Sequence, residues 1–274
     1  MRRSVRRWLY SVGAVTAAGA TAWGLLGTAS AAQLSLTRSA SASPATSAAY
    51  VPPNHDLYFG DSGPAVKSVQ ERLAQLKYYP GPIDGQYGQD TAEAVWAFKE
   101  VQGLPMNAAS NTIITYKFRR DLINPKLPKV LEPKGGASRI EINQNDEVLV
   151  LYKNNKVALI LHVSTGGGYY YPCPGDAAAT CGPAVTPDGT FYPYLFQSGW
   201  VVVPLGTMYN PIWFSPGYAI HGDIPVPWYP ASHGCVRIWM DAAAWFYQDV
   251  SIGGAHPTPI YIKGVAPYQP SIVG

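Results

Sequence analysis

The sequence predicts a small all-α domain of three helices followed by a larger, mostly-β domain. Between residues 64 and 102, apolar side chains recur at spacings of three and four, which is the period of an amphipathic helix. From residue 139 onward, apolar and polar residues alternate instead, as they do along half-buried strands. A proline-punctuated stretch, residues 124–136, separates the two patterns. We therefore expect a multidomain protein within the 274 residues.

Three helices are predicted for the first domain. The first spans residues 64–76 and has four apolar residues on one face: Val66, Val69, Leu73 and Leu76. The second begins at Asp90 and ends before Gly103, with four apolar residues on its face: Ala94, Val95, Phe98 and Val101. A shorter third helix, residues 111–120, would complete the bundle.

The predicted β domain spans residues 138–264. Its first strands cover residues 139–143, 148–152 and 156–163, and Asn154-Asn155 is a plausible hairpin turn between the last two. Shorter strands are predicted at residues 189–192, 200–203 and 218–220, with a short helix at residues 241–248.

The N-terminus has the order of a secretory signal. Within residues 1–31, arginines precede an apolar run that ends in the small residues Ala29-Ser30-Ala31. The apolar run is long, so an uncleaved membrane anchor is the alternative. Residues 32–56, rich in Ala, Ser and Thr, are predicted to be a flexible linker. We expect an exported protein.

The net charge of +3 depends on the four arginines of the predicted signal. Without them, 16 basic and 17 acidic residues remain, a net charge of −1. Nucleic-acid binding requires a basic surface, so no nucleic-acid partner is expected.

The chain contains three cysteines, which in an exported protein suggest one disulfide and one free thiol. Cys173 and Cys181 lie close together in a turn-rich segment, and an oxidising compartment would favour a bond between them. Cys235 is then the free thiol.

Cys235 lies in the segment Ser232-His233-Gly234-Cys235-Val236-Arg237, fourteen residues after His221. An imidazole is the usual means of generating a thiolate nucleophile near neutral pH. Gly234 would let backbone amides approach a developing oxyanion. The alternative is a zinc site formed by His221, His233 and Cys235, but no HExxH or paired CxxC motif supports it. No metal and no cofactor are expected.

This arrangement resembles the L,D-transpeptidases with a YkuD-type catalytic domain, in which an upstream histidine and an SHGC block form the active site. Further landmarks of that family follow in order: Val163–Gly166, Thr186–Gly189 and Gly217–Gly222. The resemblance implies that Cys235 is the nucleophile and His221 the general base, while His233 competes for that role or, with Gly234, shapes the oxyanion site. It also implies substrate-binding residues, namely Ser232, Arg237, Tyr209 and Gly222.

Residues 57–118 resemble the small peptidoglycan-binding domain of many wall enzymes. The resemblance rests on Gly60–Gly63, Asp84-Gly85 with Gly88, and Gly103-Leu104. These positions are core or turn positions, so they identify no binding residues. With residues 119–137 as a second linker, the resemblance implies a wall-binding domain joined to a catalytic domain. The implied partner is peptidoglycan, through its stem peptides and glycan strands.

The implied reaction is acyl transfer from a tetrapeptide stem through a Cys235 thioester to an acceptor amine, which cross-links peptidoglycan. One alternative is an L,D-carboxypeptidase that trims tetrapeptide stems with water. A second is a non-catalytic wall-binding protein with a degenerate second domain, which the presence of both His221 and Cys235 disfavours.

Overall fold

A computed structural model gives the structure of the protein and describes residues 50–266. The predicted signal or anchor, residues 1–31, and most of the predicted first linker, residues 32–56, lie outside the described residues. Within residues 50–266, none of the helices is long and apolar enough to cross a membrane.

Three helices form the N-terminal domain: α1 (Pro64–Gln75), α2 (Gln89–Gln102) and α3 (Tyr116–Asp121). Helix α2 lies at the centre, since ten of its residues are buried, on most sides of the helix. It ends at Gly103, whose φ of 68° is the left-handed conformation that terminates many helices.

The third helix begins later than residue 111, where the sequence predicted it to start. Ile114 instead forms an antiparallel bridge with Leu57, and this pairing holds the chain extended up to Thr115. The Thr115 hydroxyl then accepts the amide hydrogen of Phe118 and caps α3. Leu122, directly after α3, is fully buried in the core that the helices form.

The second domain contains two five-stranded sheets. The first has the order β3 (Lys156–His162), β2 (Val148–Lys153), β1 (Arg139–Asn143), β12 (Ile260–Lys263) and β6 (Gly189–Phe191). The second has the order β11 (Val236–Trp239), β10 (Tyr218–Asp223), β9 (Gly206–Ser215) and β7 (Leu195–Phe196), with β8 (Trp200–Val203) also pairing with β9. A separate hairpin joins β4 (Tyr171–Cys173) to β5 (Asp176–Cys181). Helix α4 (Met240–Phe246) follows β11.

Strand β2 is buried on both faces. Leu149 and Leu151 face the second sheet and α4, in one hydrophobic core. Val148 and Val150 face the helical domain and belong to its core. The continuous apolar run of residues 148–152 therefore reflects a strand between two layers rather than a sheet edge in water. The two domains share a core.

The predicted hairpin at Asn154-Asn155 is confirmed, and both residues have positive φ, 51° and 60°. The sequence did not predict β9, which contains the aromatic-rich segment Met208–Phe214. It also missed β11 and β12, which are four-residue strands that pair in parallel with β10 and β1. Parallel partners are distant in sequence, so no local turn signal marks them.

Helix α2 directs acidic side chains toward the second domain. Asp90 accepts a hydrogen bond from the Trp239 indole at 2.6 Å. Burial, followed by the nearby Asp241 carboxylate, raises the pKa of Asp90 to about 6. Glu93 is buried with one carboxyl oxygen bonded to Gln89 and the other without a partner, and burial raises its pKa to about 7. Ionised carboxylates are therefore costly at this interface.

We expect the Glu93 carboxyl to stabilise the fold less as the pH rises above 5. The Glu93 carboxyl binds its proton more tightly in the folded than in the unfolded chain, so its contribution is lost between its ordinary pKa of 4.5 and about 7. Glu93→Gln mimics the protonated acid and should raise the free energy of unfolding at pH 8 by on the order of 1 kcal/mol or more, with little change at pH 5. Thermal unfolding followed by circular dichroism at both pH values measures this.

The matched control is Glu71→Gln, which removes the same charge from an exposed position of α1. Its effect on the free energy of unfolding should be the same at both pH values. Equal effects of Glu93→Gln at pH 5 and pH 8 would contradict the assignment of a buried, weakly acidic carboxyl.

Candidate active site

A cavity of about 540 Å³ lies beside β10 and β11. The strand residues His221, Asp223 and Arg237 and the preceding Ser232, His233 and Cys235 form one side of it. The β8–β9 turn, from Val203 to Met208, forms another part of the wall. The volume falls in the usual range for small-molecule sites.

Parallel pairing of β10 with β11 brings the sequence-predicted residues together. His221 and Arg237 are register partners, so their side chains leave the same face of the sheet. Cys235 directly precedes β11, two residues before Arg237, and lines the same cavity. Their neighbours Ile220 and Val236 point the other way, into the hydrophobic core. Burial of one face thus directs the polar residues into the cavity.

Cys235 is the free cysteine of the chain, since Cys173 and Cys181 are joined in a disulfide as predicted. Its side chain is half-buried, with Sγ 3.8 Å from the carbonyl oxygen of Gly217. Burial raises the pKa of the thiol, and the nearby Arg237 guanidinium opposes this shift. The resting cysteine is therefore a thiol that requires a base.

His221 is buried, and its Nδ1 lies 2.9 Å from the carbonyl oxygen of Gly222. A carbonyl only accepts hydrogen bonds, so Nδ1 carries the hydrogen and Nε2 keeps its lone pair. Burial lowers the pKa of His221, while the Gly222 bond and the Asp223 carboxylate oppose that shift. A neutral imidazole with a free Nε2 is the form that a general base requires.

The turn before Cys235 is held by Ser232. The Ser232 hydroxyl donates to the carbonyl oxygen of Cys235 at 2.5 Å and accepts the amide hydrogen of Gly234 at 2.9 Å. Gly234 has a φ of 135°, and a Cβ there would lie 2.6 Å from the Tyr218 ring. Glycine is thus required on two grounds. The Gly234 amide, predicted to help form an oxyanion site, is already hydrogen-bonded, whereas no partner of the Cys235 amide is found within residues 50–266.

His233 lines the cavity and contacts two tyrosine rings edge-on. Its ring centre lies 4.6 Å from that of Tyr171 and 5.5 Å from that of Tyr169. Burial lowers its pKa, and Arg237 lowers it further. The structure gives His233 aromatic neighbours, so its predicted participation in the chemistry stays a prediction.

Arg237 pairs with Asp223, with Nε 2.9 Å from Oδ2, and both residues line the cavity. Asp223 is therefore part of an ion pair rather than an isolated surface carboxylate. Its carboxylate raises the pKa of His221 and also that of Cys235. The pair places a positive and a negative group beside the thiol.

Tyr209 and Gly222 were expected to bind substrate, but neither lines the cavity. They pair with each other across β9 and β10. A Cβ on Gly222 would lie 2.7 Å from the Cβ of Ala243, so this position must be a glycine for α4 to pack closely. Both residues lie on the side of the sheet that faces α4, opposite the cavity. The carbonyl group of Gly222 also fixes the His221 ring by accepting the hydrogen of Nδ1.

The disulfide-linked β4–β5 hairpin reaches the cavity through Pro174, which lies between the two cysteines. Within residues 50–266, no cluster of three or more His, Cys, Asp or Glu side chains is arranged to hold a metal ion.

The sequence did not reveal the roles of the residues that hold the turn before Cys235 in place. Thr186 donates to the carbonyl oxygen of Gly234 at 2.8 Å and accepts the amide hydrogen of Gly166 at 2.9 Å. Glu147 is fully buried and accepts both the amide and the hydroxyl hydrogen of Thr165. The landmarks Val163–Gly166 and Thr186–Gly189 were the signal that could have identified part of this support.

Family models match both parts of the chain. A peptidoglycan-binding domain model matches residues 62–108, and the model of the YkuD L,D-transpeptidase catalytic domain matches residues 137–262. No curated protein sequence matches the chain.

Several solved structures are similar to this chain. An L,D-transpeptidase from Xylanimonas cellulosilytica DSM 15894 is 31% identical with a TM-score of 0.68, and the match covers 78% of this chain and 100% of that one. An L,D-transpeptidase from Stackebrandtia nassauensis is 18% identical over 80% of this chain and 100% of its own, with a TM-score of 0.45. One from Mycobacterium smegmatis is 21% identical over 47% and 60%, with a TM-score of 0.36.

The Xylanimonas match covers more of the chain than either domain occupies alone. The two family models match the same two regions in which the sequence showed its resemblances. The chain belongs to the L,D-transpeptidases with a YkuD-type catalytic domain, which here follows a peptidoglycan-binding domain.

Proposed function

We propose that the protein is an exported cysteine L,D-transpeptidase that cross-links peptidoglycan. One observation carries the proposal: the chain's free thiol and a histidine whose Nε2 has no hydrogen-bond partner within residues 50–266 line the same cavity, where two neighbouring parallel strands bring them together. A nucleophile and a base on one face of a sheet are the minimum that acyl transfer requires.

In the first half-reaction, His221 Nε2 takes the Cys235 proton as Sγ attacks the carbonyl carbon between the L- and D-residues of a donor tetrapeptide stem. The carbon–nitrogen bond breaks, and the proton on His221 passes to the departing amine of the terminal D-residue. A thioester on Cys235 remains. Because neither group is charged at rest, the proton transfer must accompany the attack.

In the second half-reaction, an amine on an acceptor stem attacks the thioester carbon. His221 takes a proton from that amine and returns one to sulfur as the carbon–sulfur bond breaks. The product is a new amide cross-link, and the Cys235 thiol is restored. Each proton removed is given back, so the cycle requires no cofactor.

The oxyanion of both tetrahedral intermediates is assigned to the Cys235 amide. Its hydrogen is uncommitted within the described residues, whereas the Gly234 amide is bonded to Ser232. Gly234 and Ser232 contribute by fixing the turn that aims this amide. The Arg237 guanidinium, paired with Asp223, is the cationic group available to a stem-peptide carboxylate.

Two alternative functions can be distinguished from this one by their products. An L,D-carboxypeptidase would hydrolyse the same thioester and release tripeptide monomers. A non-catalytic wall-binding protein would form no thioester at all, and the cavity with its thiol and neutral histidine speaks against it.

We expect Cys235→Ser to abolish the formation of cross-linked dimers from disaccharide-tetrapeptide fragments, with a loss of several orders of magnitude in rate, because the hydroxyl is a far weaker nucleophile. Mass spectrometry of the products measures it. The matched control is the double variant Cys173→Ser/Cys181→Ser, which removes the other cysteines and keeps the reactive thiol. Tripeptide monomers without dimers from the unmodified protein would favour the carboxypeptidase.

Asp223→Asn should shift the pH dependence of the reaction to lower pH. The Asp223 carboxylate raises the pKa of His221 and of Cys235, so its removal lowers both. The acidic limb of kcat/KM, set by protonation of His221, is already expected below 6.5, and the variant should move it lower still. The rate of iodoacetamide alkylation of Cys235 against pH should move in the same direction. A shift of either profile to higher pH would refute the proposed influence of Asp223.

The exported, folded protein should contain one alkylatable thiol. Cys235 should react with iodoacetamide in the native state, and all three cysteines should react after reduction and unfolding. Peptide mass mapping counts the labelled sites. Three labelled cysteines without reduction would contradict export into an oxidising compartment.

A further inference from the structure

A buried acid–histidine contact joins the helical domain to the catalytic domain. Glu100, on α2, lies with its Oε1 and Oε2 at 2.8 Å and 3.1 Å from Nδ1 of His162, at the end of β3. The exposed fractions of the two side chains are 7% for Glu100 and 0% for His162. Trp96, one turn earlier on α2, packs edge-on against the same imidazole with ring centres 5.3 Å apart.

The other nitrogen of His162 reaches the active-site loop. Nε2 lies 2.9 Å from the carbonyl oxygen of Pro227, in the ten-residue segment between His221 and Ser232. Since a carbonyl only accepts, Nε2 carries a hydrogen. Nδ1 then either donates a hydrogen bond to an ionised Glu100 carboxylate or accepts one from a protonated Glu100 carboxyl group. In both arrangements a single proton lies between the two groups. Glu100 therefore sets the orientation of the ring that holds Pro227.

The Pro227 segment also makes other contacts, among them a hydrogen bond from the Tyr169 hydroxyl to the carbonyl oxygen of Ala231 at 3.2 Å. The Ser164 hydroxyl donates to the carbonyl oxygen of Tyr229 at 2.8 Å and accepts the amide hydrogen of Ala231 at 3.1 Å. Trp228 packs against the core of the helical domain. The same segment supplies Ile224 and Pro225 to the cavity wall, and it continues directly into the turn that carries Cys235.

We propose that Glu100 is a positioning residue of the catalytic site, acting through His162 on the carbonyl group of Pro227. The helical domain thereby completes the active site in addition to its part in wall binding. The loop carries one wall of the cavity and leads into the nucleophile turn, so a small displacement changes the geometry of attack. The effect on loop order stands on the contacts alone, whereas the effect on turnover rests on the proposed function.

Glu93 provides a matched control for Glu100. It lies on the same helix, is also buried, and also faces the catalytic domain, beside His162 in a small cavity. It makes its hydrogen bond to Gln89 and none to the imidazole. Truncating either residue removes a buried carboxyl from α2, but only one truncation releases His162.

The experiment compares Glu100→Ala and Glu93→Ala with the unmodified full-length protein, well below their melting temperatures. Hydrogen exchange of peptides covering residues 226–232 should accelerate roughly fivefold to tenfold in Glu100→Ala, as the loss of one hydrogen bond predicts, and stay unchanged in Glu93→Ala. With disaccharide-tetrapeptide as donor and acceptor, kcat should fall roughly tenfold or more in Glu100→Ala with KM nearly unchanged. Glu100→Gln, whose amide can donate to Nδ1, should restore most of both properties.

Unchanged exchange in Glu100→Ala, or equal changes in Glu100→Ala and Glu93→Ala, would overturn the proposal. If Glu100→Ala does not fold, Glu100→Asp replaces it, because it keeps the carboxyl and shortens its reach by one methylene group. An unmodified protein without any turnover would refute the proposed function alone, since the exchange measurements would still decide the role of Glu100.

Discussion

The structure depends on the burial of β2 and β3 on both faces. One face packs against the second sheet and α4, and the other packs against the helical domain. A strand in that position cannot leave polar groups unpaired at its ends, because water does not reach them. The polar residues of this layer therefore form hydrogen bonds across elements, and those bonds determine where the active-site segments lie.

The chain that leaves β3 shows how this works. Ser164 exchanges two backbone hydrogen bonds with Arg237, and Thr165 accepts the amide hydrogen of Ser232. Gly167 donates to the carbonyl oxygen of Ser232, and the Ser164 side chain binds the segment before it. Ser164, Thr165 and Gly167 thus hold both the loop after His221 and the turn before Cys235. A Cβ on Gly166 would lie 2.5 Å from the carbonyl oxygen of Ala184, which explains why a glycine occupies that position.

The electrostatics of the site fit a nucleophile that is activated during reaction rather than beforehand. Burial favours the neutral forms of Cys235 and His221 alike, and the Arg237–Asp223 pair moderates both. A neutral thiol also resists adventitious oxidation. The same principle operates at the domain interface, where burial raises the pKa of Glu93 to about 7 and that of Glu100 well above its ordinary value.

The sequence by itself predicted the fold class, the periodic helices and strands, and two residues, Cys235 and His221, that line one cavity in the structure. It could do so because side-chain periodicity, turn residues and the Ser232–Arg237 segment are local in the chain. It also placed the disulfide, since Cys173 and Cys181 are eight residues apart.

Only the tertiary structure decided what depends on distant partners. The parallel pairing of β10 with β11 brings His221 beside Arg237, and the pairing of Ile114 with Leu57 delays the third helix. Tyr209 and Gly222 turned out to face α4, because which side of a strand is buried follows from the layer packed against it. The contact of Glu100 with His162 joins residues 62 positions apart, and burial of both between two domains is a property that no local pattern encodes.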